Sequence, residues 1–129
     1  DSENAGFTTG KPWFAVNENY REINVARQEP DRNSVLNYYR LAIGLRKKLS
    51  CVRRGTYQEY RKGSDWLYMY SMRDDRQKIL VICSFRDRVR KFRPPKEFHL
   101  DKGKRILCNY PEPEEDRLNP YEARVYFWN

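Results

Sequence analysis

The hydrophobic pattern of this chain changes period once, at Cys51, and that change limits the folds open to it. Over Asp31–Leu49, just before it, apolar residues recur every three or four positions. Val35, Leu36, Tyr39, Ala42, Ile43 and Leu49 then share one face of a helix predicted over Asp31–Leu49. Asp31 or Ser34 can cap its start through a side-chain oxygen. Arg46, Lys47 and Lys48 suit its negative end. Gly44 weakens it by up to about 1 kcal/mol relative to alanine, and close packing there would be its reason. After Cys51 the period is two. Strands are predicted at Gly55–Tyr60, Trp66–Met72, Ile79–Phe85, Arg88–Phe92, Glu97–Leu100, Arg105–Tyr110 and Tyr121–Trp128. Ile79–Phe85 is almost wholly apolar, as expected of a central strand covered on both faces. Arg88–Phe92 is charged and stopped by Pro94-Pro95, so it belongs at an edge. Along Tyr121–Trp128, residues 121, 123, 125 and 127 face one way and 122, 124, 126 and 128 the other. Short antiparallel strands with turn signals between them describe a β-sandwich or barrel.

The first 28 residues fit neither period. Asn4–Val25 sets Phe7, Trp13, Phe14 and Tyr20 among polar residues, punctuated by Gly6, Gly10 and Pro12. Such a loop packs its aromatics against a scaffold. One helical turn is expected at Ile23–Gln28, and Pro30 then breaks the chain.

At 129 residues one domain is expected, with room for an appendage. The first residue is not Met, so the start is expected to be cut or processed. Aromatic content of 15% argues against disorder. No apolar run reaches the roughly 18 residues of a membrane span, and no signal peptide is visible. Cys51, Cys83 and Cys108 are odd in number and widely spaced, and His99 is the only histidine. No zinc or other metal site is expected. The cysteines read as small buried hydrophobes, and a reducing cytoplasm fits them.

The net charge of +8 raises nucleic acid as a partner. The basic residues are densest at 86–96, RDRVRKFRPPK, and read first as a solvated strand and turn. No RNA-binding aromatic signature accompanies them. Catalytic sets are missing: no glycine-rich phosphate loop, no Gly-x-Ser-x-Gly and no histidine pair. The adjacent acids Asp74-Asp75 and Glu114-Glu115-Asp116 lie in turns, with no burial to separate their pKa values. Pattern alone describes a soluble β domain with one helix.

Four segments carry more. NAGFTTGKPW at 4–13, NYREINV at 19–25, SVLNYYRLAIGLRK at 34–47 and NPYEARVY at 119–126 occur in this order. Together they resemble the C-terminal end of oligo-1,6-glucosidases and their relatives in the α-amylase family, over essentially the whole chain. Relatives include dextran glucosidase, trehalose-6-phosphate hydrolase and sucrose isomerase. Glu18 stands where that family often has Pro, and Tyr121 where it often has Trp.

The resemblance implies a division. Residues 1–50 would be the last loop and helix of a catalytic barrel; residues 51–129 would be an antiparallel Greek-key β-sandwich. The family's retaining mechanism uses carboxylates on barrel strands, and a whole barrel needs about 250 residues. None of its catalytic motifs has a counterpart here. The expectations are therefore no catalytic, cofactor or metal residue, no activity alone, and the barrel of the same polypeptide as partner. Oligosaccharide would bind only in the full enzyme, with α-1,6-linked sugars the leading substrate. Asn4, Phe7 and Thr8 would lie on the substrate side of the barrel or only seal it. Exposed apolar surface on the helix would promote self-association. The competing reading is a stand-alone binding module. It would take carbohydrate through Trp66, Tyr68 or Trp128, or nucleic acid through the basic strand.

Overall fold

A computed structural model describes all 129 residues, Asp1–Asn129. They fall into two compact units, Asp1–Leu41 and Ala42–Asn129.

The first unit is mostly loop. Two single turns of 3-10 helix, Glu3–Gly6 and Glu18–Arg21, precede helix α1 (Val25–Gln28). Asn24 caps α1, its Oδ1 accepting from the Arg27 N–H at 3.0 Å. The expected turn at Ile23–Gln28 is thus present, two residues shorter. Helix α2 runs Val35–Lys48, starting four residues later than predicted. Asp31 forms a turn instead, its Oδ1 accepting from the Asn33 N–H at 2.9 Å. Ser34 is the cap, accepting from the Asn37 N–H at 3.3 Å. Its hydroxyl also donates to the Gln28 carbonyl at 2.7 Å. The Asn37 amide reaches the carbonyls of Gln28, Glu29 and Asp31, which ties the Pro30 break to the helix.

The second unit holds the rest of α2, helix α3 (Ser50–Arg54) and seven strands: β1 Thr56–Tyr60, β2 Leu67–Arg73, β3 Lys78–Ser84, β4 Arg90–Lys91, β5 Lys104–Cys108, β6 Arg117–Leu118 and β7 Ala123–Trp128. Leu49 turns extended between α2 and α3, so the helical run predicted through Leu49 breaks there. All strand pairs are antiparallel. One sheet has the order β1-β2-β3-β7-β5, and β4-β6 form a second, two-stranded sheet. The expected β-sandwich is therefore present, with one layer much smaller than the other.

β3 is the middle strand, and the alternation of its residues sorts two cores. Leu80 and Ile82 face one side with Leu67, Met69 and Tyr126, covered by Phe92, Phe98 and Leu118. Ile79 and Val81 face the other, covered by Leu49 and Cys51 with Leu45 and Val52 around them. The strand expected at Glu97–Leu100 is absent. Pro94-Pro95 leads into a turn in which the Phe98 N–H donates to the Pro95 carbonyl at 2.9 Å. A 3-10 turn, Leu100–Lys102, follows. Phe98 is buried all the same, as a plug in the larger core rather than a strand residue. The basic strand predicted over Arg88–Phe92 is cut to the two residues of β4, because Arg86–Arg88 bends before it.

Candidate functional site

The loop residues singled out from the sequence do come together. Asn4 and Ala5 adopt left-handed backbone, with φ of 51° and 53°, and Gly6 follows at 77°. Ala5 has no polar side chain to offset the strain of that region. The Asn4 amide holds the turn by donating to the carbonyls of Thr8 at 3.1 Å and Gly10 at 3.2 Å. Thr8 Oγ1 accepts from the Gly10 N–H at 3.1 Å. Asn4 and Thr8 thus have a local role: they close a hairpin-like turn that presents Phe7.

Phe7 itself is 85% exposed, and Trp13 is 93% exposed. Trp13 and Phe14 meet edge to face at 4.5 Å between ring centres. With Tyr20, Ile23 and Val25 they line an open, largely apolar concavity of about 1050 Å³ within Asp1–Glu29. The loop aromatics were expected to pack on a scaffold; in this chain Phe7, Trp13 and Phe14 face outward, and Tyr20 is half-buried. The same holds along α2, where Val35, Tyr39, Leu41 and Ile43 are exposed. No residue of α2 is buried. The apolar stripe divides: Leu45 and Leu49 pack on the second core, whereas Val35, Tyr39 and Ile43 stay exposed.

The aromatics proposed for carbohydrate are otherwise engaged. Trp66 and Trp128 pack on the larger core. Arg90 lies over the Trp66 ring at 4.9 Å. Trp128 lies between Phe98 and Tyr126. Tyr68 shares a hydroxyl contact of 2.9 Å with Tyr57. In the basic segment Phe92 is core, Arg86 pairs with Asp65, and Lys91 lies 3.7 Å from Asp116.

The cysteines are free, Cys51 buried and the other two half-buried. Burial pushes all three thiols up, so none is a ready nucleophile. No group of three His, Cys, Asp or Glu side chains is placed to hold a metal ion. No helix is long and apolar enough to cross a membrane.

One polar arrangement was not foreseen. Glu122, just before β7, and Arg124, on that strand, are wholly buried and form an ion pair. The Arg124 guanidinium also donates to the carbonyls of Glu114 and Arg117. It lies 5.6 Å from the centre of the Phe92 ring. Glu122 Oε2 accepts from Asn119 twice, from its N–H at 2.7 Å and its amide at 2.9 Å. Alternation marked these residues as sharing a face with Tyr126. Nothing in their type marked that face as the buried one.

The model of the α-amylase family described as "Alpha amylase, catalytic domain" matches residues 1–55. The oligo-1,6-glucosidase of Parageobacillus thermoglucosidasius is 40% identical over 98% of this chain and 23% of its own length. The trehalose-6-phosphate hydrolase of Bacillus subtilis is 37% identical over 97% of this chain and 23% of its own length. Among solved structures, the trehalulose synthase of Pseudomonas mesoacidophila superimposes with a TM-score of 0.88. It is 33% identical and covers 98% of this chain and 24% of the other. The chain belongs with the C-terminal part of oligo-1,6-glucosidase-like proteins of the α-amylase family. It spans about a quarter of the length of the relatives it matches. The outward aromatics fall within the portion matched by the catalytic-domain model, residues 1–55.

Proposed function

We propose that the chain is the C-terminal structural part of an α-glucosidase whose catalytic residues lie upstream of Asp1. Residues 1–50 are the last barrel loop and helix, and residues 51–129 are the supporting sandwich. The observation that carries this reading is the uncovered apolar surface of Phe7, Trp13, Tyr39 and Ile43, in a chain with two complete cores of its own. A barrel of the same polypeptide is the partner that would cover it. Leading substrates are α-1,6-linked oligosaccharides, supported by the 40% identity to an oligo-1,6-glucosidase. Carboxylates of the barrel would perform retaining hydrolysis. Asn4, Phe7 and Thr8 would stand on the substrate side, with Asn4 and Thr8 shaping the turn and Phe7 meeting neighbouring loops. Three free thiols are in keeping with a cytoplasmic setting.

The test is a chromogenic α-glucoside offered first to the 129-residue chain and then to the chain joined to its upstream sequence. Turnover is expected only from the second. Turnover by the 129 residues alone would overturn the proposal. In the longer protein, Phe7→Ala separates the two loop roles. A raised KM supports the substrate side, whereas lowered stability with unchanged kinetics means that Phe7 only seals the barrel.

A further inference from the structure

The second unit carries a basic depression that the structural role does not use. Its volume is about 460 Å³, and Arg61, Lys91, Phe92, Arg93 and Asp116 line it. Two stretches far apart in sequence build it. Arg61 opens the β1–β2 turn in left-handed backbone, φ 53°, with the Ser64 N–H donating to its carbonyl at 3.1 Å. A long side chain rarely adopts that conformation, so the turn aims Arg61 at some cost. Lys91 and Arg93 flank Phe92. That residue is buried, and its N–H donates to the Asp116 carbonyl at 3.0 Å. Pro94 further restricts Arg93. The three cations therefore sit on fixed backbone.

Asp116 is the one carboxylate in the depression, and it is already engaged by Lys91 at 3.7 Å and Arg117 at 3.9 Å. Arg61 and Arg93 make no ion pair. The lining thus carries two net positive charges, matched to a phosphate dianion. Each guanidinium offers a planar fork of N–H donors that suits phosphate oxygens.

We propose that Arg61, Lys91 and Arg93 form a binding site for a phosphate group, either free phosphate or the phosphate ester of a sugar. The probes are inorganic phosphate and glucose 6-phosphate, added to the 129-residue chain at constant ionic strength and followed by amide chemical shifts. Equilibrium dialysis against labelled phosphate gives the same affinity should association broaden the spectra. Saturable shifts centred on Arg61, Lys91 and Arg93 are expected. Arg61→Gln and Arg93→Gln should each weaken binding about tenfold, since a hydrogen bond to a charged group is lost. Both side chains are exposed, so the variants should keep the parent circular dichroism. Arg105→Gln, on β5, should bind as the parent does. Equal affinity for the two probes identifies free phosphate as the ligand, and tighter binding of glucose 6-phosphate identifies the ester. Shifts that never saturate, or affinity unchanged in both arginine variants, would overturn the site.

Discussion

Arg124 on β7 and Glu122, just before that strand, stand two residues apart, and neither exposes any side-chain surface. Their pairing fixes more than each other. Arg124 also binds the carbonyls of Glu114 and Arg117, while Glu122 binds Asn119. The chain between β5 and β7 is therefore strapped onto the larger sheet by one guanidinium and one carboxylate. Removing either leaves a buried charge and several unpaired polar groups. Arg124→Met should cost about 3–5 kcal/mol. Urea unfolding of the variant beside the parent measures it. A loss below about 1 kcal/mol would mean that water relaxes into the strap.

The same pair sets an acid limit. Burial pushes the Glu122 carboxyl up, but its bonds with Arg124 and Asn119 and the Arg124 charge outweigh this. The folded pKa is held below the ordinary glutamate range. A depressed carboxylate contributes stability that is fully present above the unfolded value of about 4.3. That stability is lost as pH falls through the folded value. Unfolding free energy should thus decline on acidification below about pH 4.3. In Glu122→Gln that share of the decline should vanish, from a lower starting stability. Denaturant titrations at stepped pH would show it; parallel slopes in parent and variant would refute it.

Gly103 is pressed against Trp128. A Cβ there would run into the indole ring, with Cζ2 and Cε2 the nearest atoms. Trp128 cannot move freely, because Phe98 and Tyr126 hold it. Gly103→Ala should therefore destabilise by about 1–3 kcal/mol, the range for overpacking. Thermal melts would follow it, and Trp128 fluorescence would report the displacement.

The sandwich could be read from the sequence because one strand face after another follows period two, and β3 is apolar throughout. Residue type narrowed the cap of α2 to Asp31 or Ser34, and the structure chose Ser34. Other features depended on distant partners. Phe98 looked like a strand residue because it is apolar after Pro-Pro, yet it plugs the core from a turn. The burial of Arg124 had no sequence signal, since its compensating carbonyls at 114 and 117 come from a loop with no pattern. β6, two residues long, has no periodicity to find. Within the loop, the aromatics at 7 and 13 were visible, but their direction is set by what covers them, not by their spacing. The motif resemblance located the chain in its family; the alternation of Tyr121–Trp128 alone could not.

Gly44 offers a test of what lies against α2. It is exposed, and a Cβ at this position would meet nothing within 4 Å. The expected close packing is absent in this chain. Here Gly44→Ala should stabilise, by up to about 1 kcal/mol, because alanine is the better helix former. In a longer protein where a barrel covers α2, the same methyl group would meet a neighbour, and the gain should shrink or reverse. Melting both proteins with and without the substitution compares the two. Equal stabilisation in both would place this turn of α2 in solvent even in the longer protein.

The uncovered apolar residues should make the 129-residue chain associate. Val35, Tyr39 and Ile43 lie on α2 at spacings of four, so they form one continuous stripe. Exposed stripes of this kind are contact surfaces. Sedimentation velocity should show a weight-average mass that rises with concentration above the 15.7 kDa of the single chain. Changing Tyr39 and Ile43 to Ser should lower the association without unfolding the second unit, because neither side chain belongs to its two cores. The near-ultraviolet signal of Trp66 and Trp128 reports that unit. A parent chain that stays at 15.7 kDa at all concentrations and binds no hydrophobic dye would show that the stripe is tolerated in water.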